Sequence, residues 1–205
     1  MNQTFFKTKI IAVVIIILIS CCSVLPAQNA DIKLLRKINV DRNENLDNMF
    51  RFFSGSATPV SIAIPVLLLG KGLVMKDCGD ITKGLTIGSS VILASIISTS
   101  IKYSFNRTRP FITYPDIDKA TSAGSPSFPS GHTSDAFSTA TALTLAYPKW
   151  YIAVPSYTWA AAVGYSRMHL GVHYPVDVLS GALTGSLSAY LCYKGQKWIN
   201  KKRLN

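Results

Sequence analysis

Apolar and polar positions divide this chain into long uncharged runs separated by short basic or loop-forming segments. Four runs lack any Asp, Glu, Lys or Arg: Phe52–Gly70, Gly84–Ile101, Trp150–Ser166 and Val178–Tyr193. A fifth, Ala136–Pro148, is shorter. A helical membrane span needs about 20 mostly apolar residues, with a lower limit of about 17. Two runs meet that length outright, and the others complete it only with flanking residues. Gly, Ala, Ser and Thr are frequent in all of them, which suits close helix packing in a bilayer and equally suits a buried helix of a soluble bundle. No internal repeat and no strand-like alternation is present. The pattern predicts an all-α protein, a multi-pass transmembrane helical bundle of about five core helices.

Upstream of these runs, residues 31–51 mix charges with Ile32, Leu34, Leu35, Ile38, Leu46, Met49 and Phe50 at helical spacings. An amphipathic helix on the membrane surface and one packed on a protein core both fit. Still earlier, Lys7 and Lys9 precede an uncharged run from Ile10 to Ala27. That is the pattern of a secretory signal, with cleavage expected after Ala27. A lipoprotein signal ending Leu18-Ile19-Ser20-Cys21 and an uncleaved first membrane helix are the alternatives. The expected division is therefore 1–27 signal or anchor, 28–51 amphipathic periplasmic segment, 52–195 helical domain and 196–205 basic cytoplasmic tail.

Charge supports the membrane reading. The net charge is +11, and charged residues are only 15% of the chain, against about 25% in ordinary soluble domains. The basic residues do not form the single stripe of a nucleic-acid binder. With residue 31 outside, Lys71, Lys76, Lys83, Lys149 and the tail Lys194, Lys197, Lys201, Lys202 and Arg203 fall on the inner side, as the positive-inside bias requires. Lys102, Arg107, Arg109 and Arg167 fall on the outer side, against that bias. Cys78 and Cys192 are isolated, have no zinc-ligand spacing, and are expected to be small apolar fillers.

Three segments share the outer face. The first runs from Lys102 to Arg109-Pro110, the second is Pro129-Ser130-Gly131-His132, and the third is Ser166-Arg167 followed by His173 and Asp177. Lys102, Arg109 and Arg167 offer cations to a phosphate, the arginines through forked donors. Ser130-Gly131-His132 opens a helix whose first amides can face an anion. Pro175 suits a first helical turn, which places Asp177 where it can accept from one nitrogen of His173 and leave the other free to attack. Arg107 reads as a surface charge, His169 as a pocket-lining or surface residue, and Ser166 as a cap or a phosphate contact.

In order and spacing, these three segments resemble the signature motifs of the type 2 phosphatidic acid phosphatase superfamily. It includes lipid phosphatases, bacterial class A acid phosphatases and vanadium haloperoxidases. The resemblance covers about residues 50 to 195. It implies that His173 attacks phosphorus, Asp177 orients it and His132 protonates the leaving oxygen. Lys102, Arg109, Ser130, Gly131 and Arg167 would hold the phosphoryl oxygens. No metal and no cofactor are implied. The substrate expected from it is a phosphorylated membrane lipid: lipid A, undecaprenyl pyrophosphate, phosphatidylglycerophosphate or phosphatidate. The expected location is the bacterial cytoplasmic membrane, with the site facing the periplasm or exterior. A soluble periplasmic acid phosphatase, a vanadate haloperoxidase and a non-catalytic binder of lipid phosphates are the competing readings.

Overall fold

The computed structural model describes residues 24–203. The signal expected over 1–27 lies almost wholly outside the described residues, as do Cys21 and Cys22. Among the described residues, six long helices make up the bundle: α1 (Val24–Asn39), α2 (Asp47–Met75), α3 (Cys78–Phe105), α4 (Gly131–Ala146), α5 (Trp150–His169) and α6 (Pro175–Arg203). A single helical turn, Pro110–Thr113, sits in the long connection between α3 and α4. No strand occurs among the described residues.

Each apolar run forms one helix, most of them extended into their flanks, except that the run from Ala136 leaves the helix at Ala146, two residues before its end. The helix that holds the run from Phe52 begins earlier, at Asp47, and the basic tail expected over 196–205 continues α6 as far as Arg203. Pro59 and Pro65 lie inside α2; neighbouring helices and hydroxyl side chains make such prolines tolerable in a membrane helix. The α2–α3 hairpin turns at Lys76, in the left-handed region at φ 53°, and Asp77 then caps α3 by accepting from the Gly79 amide at 2.7 Å.

Small residues set the helix separations. A Cβ at Gly84 would lie 2.8 Å from the Leu69 side chain and 3.0 Å from the Pro65 carbonyl oxygen, so α2 and α3 run in close contact. On α6, a Cβ at Gly181 would come within 2.5 Å of the Ser130 carbonyl oxygen, and one at Gly185 would fall on the Ser134 carbonyl. This Gly-x-x-x-Gly face lets α6 approach α4 backbone to backbone, which brings Asp177 beside Ser130: the Ser130 amide donates to the Asp177 carbonyl at 2.9 Å.

Two stretches, Glu44–Met75 and Cys78–Thr113, are long and apolar enough to cross a membrane. Their large side chains face outward: Phe52 is 71% exposed, Leu67 70%, Val74 82% and Ile92 63%. A continuous apolar exterior of that kind requires lipid or protein to cover it. The amphipathic segment packs on protein. Ile32 and Leu35 of α1 are buried with Ile117 and Tyr174 against the loops at one end of the bundle. Cys78 is exposed at the start of α3, contrary to the filler reading.

Candidate active site

Four helix ends and two loops converge where α1 covers the bundle. Lys102 lies in the last turn of α3, which stops because Asn106 adopts φ 45°, a left-handed conformation that Asn tolerates better than most residues. The chain then passes Arg107 and Arg109 before Pro110 opens its single turn. Ser130 is the N-cap residue of α4, with Gly131 and His132 in that helix's first turn. Arg167 lies in the last turn of α5. From there the backbone reverses at Gly171, φ +71°, where a Cβ would collide with the Asp118 carbonyl. His173 follows, and Asp177 lies in the first turn of α6.

The cations are the unusual feature. Lys102, Arg109 and Arg167 are 9%, 5% and 4% exposed, and no carboxylate pairs with any of them among the described residues. They contact neutral acceptors instead. Lys102 Nζ donates to the Pro126 carbonyl at 2.8 Å. Arg109 donates to the carbonyls of Ser125 at 2.7 Å and Val172 at 2.8 Å. Arg167 donates to Ser54 Oγ, while its Nε is buried without a partner. Burying a charge without a counter-charge is expensive, and an anion held between three such cations would remove that cost.

Beside them lies an imidazole held at both nitrogens. His173 is 2% exposed. Its Nδ1 lies 3.4 Å from Asp177 Oδ2 and its Nε2 lies 3.4 Å from an Arg109 terminal nitrogen. With the Asp177 carboxylate accepting at Nδ1, the proton resides there and Nε2 presents a lone pair towards the cations. Burial holds the His173 imidazole well below its ordinary pKa, so it is neutral in the phosphate-free protein. Asp177 Oδ2 also accepts from Ser127 Oγ and from the Tyr174 amide at 3.0 Å. His132 is half-buried at the open side of this arrangement, and Ser130 Oγ accepts from Thr133 Oγ1 at 2.8 Å.

The PAP2 superfamily model matches residues 83–201 of the chain, a stretch that contains all eight predicted site residues. The chain belongs to the PAP2 superfamily. An undecaprenyl-diphosphatase of Sulfolobus acidocaldarius is 32% identical over 166 residues, covering 78% of this chain and 76% of that one. The crystal structure of Aquifex aeolicus LpxE matches with a TM-score of 0.70 at 30% identity, over 80% of this chain and 95% of its own. A transmembrane PAP2-type phosphatidylglycerolphosphate phosphatase from Bacillus subtilis shares the fold, with a TM-score of 0.70 at 22% identity, over 91% and 92% of the two chains. The protein is thus a membrane-embedded phosphatase of the PAP2 superfamily.

Within this PAP2 site, three expectations change. Arg107 is no free surface charge: its guanidinium donates to Asp177 Oδ1 at 2.6 Å and to Asp31 Oδ2 at 2.7 Å. His169 is no surface residue: it is buried, with Nε2 2.9 Å from Asp47 Oδ1, and ties the end of α5 to the start of α2. Ser166 neither caps a helix nor faces the cations, because its hydroxyl donates back to the Val163 carbonyl at 2.7 Å. Ser127, Ser54 and Asp31 touch the site residues, yet nothing in their local sequence marks them. Ser127 sits one residue before Phe128-Pro129-Ser130, and only that proximity to the second motif hinted at it.

Proposed function

We propose that this protein is a lipid phosphatase that cleaves a terminal phosphate from a membrane lipid, a pyrophosphate or a phosphomonoester, through a phosphohistidine and without a metal. The observation that carries the proposal is the set of three buried cations without a carboxylate partner at the same end as His173, one of which, Arg109, lies 3.4 Å from its Nε2. Lys102, Arg109 and Arg167 neutralise the phosphoryl oxygens, and the first amides of α4 at Gly131 and His132 add donors, with Ser130 at the cap. His173 Nε2 attacks phosphorus, forming the N–P bond as the P–O bond to the lipid breaks. His132, which takes up a proton from solvent as the bound phosphate offsets the neighbouring cations, gives that proton to the departing oxygen. Neutral His132 then takes a proton from water, whose oxygen attacks phosphorus. The N–P bond breaks, inorganic phosphate leaves, and both histidines return to their starting states. Asp177 keeps the Nδ1 proton on His173 throughout, which is the base-and-orienter arrangement of a nucleophilic triad.

The donor set favours metal-free chemistry. A divalent cation would be repelled by three fixed positive charges, and those charges already supply the neutralisation that a metal would bring. A lipid substrate fits the bundle. A groove of about 300 Å³ lies one helical turn along α4 from His132, lined by Ile62 of α2, by Val91, Ile92 and Ile96 of α3, and by Asp135. It faces the apolar exterior and suits a hydrocarbon chain. The site end faces the periplasm or exterior and the opposite end the cytoplasm, because Lys71, Lys76 and Lys83 cluster at the α2–α3 turn, as the positive-inside rule expects.

Purified protein in detergent, with excess chelator, is given undecaprenyl pyrophosphate, lipid A, phosphatidylglycerophosphate, phosphatidate and one soluble phosphomonoester. Phosphate release from a lipid in preference to the soluble ester is the expected result, with a phosphoryl–protein bond that survives alkali and is lost in acid. His173→Ala should lower turnover by about 10⁴-fold or more while still eluting as folded protein. Activity that vanishes with chelator and returns with added metal would refute the mechanism, and preferred turnover of the soluble ester would refute the lipid assignment.

A further inference from the structure

Arg107 stands two residues before Arg109, yet its side chain serves a different purpose. One guanidinium nitrogen donates to Asp177 Oδ1 at 2.6 Å and the other to Asp31 Oδ2 at 2.7 Å. Asp31 in turn accepts from the Val176 amide through Oδ1 at 2.9 Å, so it also caps the first turn of α6. The guanidinium carbon lies 3.9 Å from the centroid of the Tyr174 ring, the residue that follows His173. The Asp31 and Asp177 side chains are 2% and 0% exposed, and that of Arg107 is 25% exposed. One cation thus joins the N-terminal amphipathic helix, the α3–α4 connection and the catalytic turn of α6.

The arrangement divides the work of the Asp177 carboxylate. Its Oδ2 carries Ser127, the Tyr174 amide and His173 Nδ1, while Oδ1 carries Arg107 alone. A carboxylate turns easily about its terminal bond, so a partner on each oxygen is what fixes the plane presented to His173. Without Arg107, two buried carboxylates, Asp31 and Asp177, would remain near one another with no cation between them. Like charges so placed cannot both stay ionised without cost. Either one takes a proton or the loop rearranges, and both outcomes loosen the hold on His173.

We propose that Arg107, anchored by Asp31 of α1, is a positioning residue for Asp177, which makes the N-terminal amphipathic helix part of the catalytic apparatus. The inference rests on Asp177 being the carboxylate that orients His173. Lysine cannot replace Arg107 fully, because a single ammonium does not bridge two carboxylates as a planar fork does. Asp31→Asn keeps the shape and removes one charge, so it should be the milder change. Combining it with the loss of Arg107 removes the stranded carboxylate.

The test measures kcat and KM of the full chain in detergent, on whichever lipid of the panel above is released fastest, for Arg107→Met, Arg107→Lys, Asp31→Asn and Arg107→Met with Asp31→Asn. Arg36→Ala serves as the control, because it breaks the exposed ion pair of α1 with Asp116 and touches nothing at Asp177. Arg107→Met should lower kcat by about 10- to 100-fold, the range found when an orienting partner of a reactive group is removed, with KM within about twofold. Arg107→Lys should recover part of that loss. The double variant should be no slower than Arg107→Met alone, whereas independent effects would multiply. Arg36→Ala should stay within about twofold of wild type, as exposed pairs contribute little. If Arg107→Met does not elute as folded protein, Arg107→Lys and Asp31→Asn decide. Wild-type kcat in Arg107→Met, a loss confined to KM, multiplicative effects, or an equal loss in Arg36→Ala would each overturn the proposal. A His173→Ala variant that kept turnover would instead sink the underlying mechanism.

Discussion

The two ends of this bundle use the same residue types to opposite purposes. At the α2–α3 turn, Lys71 and Lys83 reach the buried Asp80 carboxylate at 2.7 and 3.2 Å, and the Tyr147 hydroxyl joins them at 3.1 Å. Every charge there that leaves water finds an opposite charge. At the other end, Lys102, Arg109 and Arg167 are buried among carbonyls, a serine hydroxyl and an imidazole, with no carboxylate among the described residues in contact. The first cluster is complete as it stands and stabilises the hairpin. The second has no counter-charge of its own among the described residues, and under the proposed function an anion supplies it. The difference teaches that charge and burial alone do not separate a structural cation from one proposed to bind phosphate. The missing counter-charge does.

The comparison is tested most strongly at Arg167. Replacing it with Met keeps the volume and removes an unpaired buried cation. That variant should lose about 10²- to 10³-fold in kcat/KM, as removing one donor to a developing oxyanion does elsewhere. Its thermal midpoint without phosphate should be equal to or above wild type, since replacing buried charge by apolar volume is often neutral or stabilising. A lower midpoint would mean that the guanidinium is structurally satisfied after all. Inorganic phosphate should raise the midpoint of the wild type, with about 2.7 kcal/mol available at a hundred times its Kd, and should raise that of Arg167→Met much less.

At the opposite end the expectation reverses. Asp80→Asn removes the negative charge that Lys71 and Lys83 share and one of its two acceptor oxygens, and should lower the midpoint by a few degrees, while kcat of the folded fraction is unchanged. Any selective loss of turnover would show that the two ends are coupled. The smallest effect concerns pH. Burial keeps His173 neutral in the folded protein, whereas its unfolded pKa is about 6.5. As pH falls below that value the unfolded chain takes a proton that the folded one refuses, so folding stability declines, and above it this penalty is absent. Thermal midpoints measured in steps from pH 7.5 to 5 should fall further for wild type than for His173→Asn. Parallel curves would contradict the buried neutral imidazole.

Much of the fold was legible because the information was local. The uncharged runs from Phe52, Gly84, Trp150 and Val178 each lie in one helix, as do all but the last two residues of the run from Ala136, and the membrane reading agrees with the outward apolar faces. The eight predicted site residues are found together at one end, since each sits at a helix terminus or loop that a cap, a proline or a glycine defines. Boundaries were less legible. The helix that begins at Asp47 continues upstream of its apolar run because Asp47 is held by Arg42, just before it in the chain, and by His169, far from it in sequence, and these contacts outweigh its polarity.

What the sequence determined by itself was the helical class, the family, and which residues carry the chemistry proposed to bind and transfer a phosphoryl group. These follow from periodicity, short-range capping and motif spacing, all of which act within a few turns of chain. Only the tertiary structure decided which charges are paired. Arg107 and Arg109 are two residues apart and chemically identical, yet one meets Asp31 and Asp177, separated from it by 76 and 70 positions, and the other meets only neutral groups. Whether a cation is a strut or part of a binding site depends on what lies within a few ångströms in space. That is set by how closely α4 and α6 approach at Gly181 and Gly185 and by where α1 docks, which no window along the chain contains.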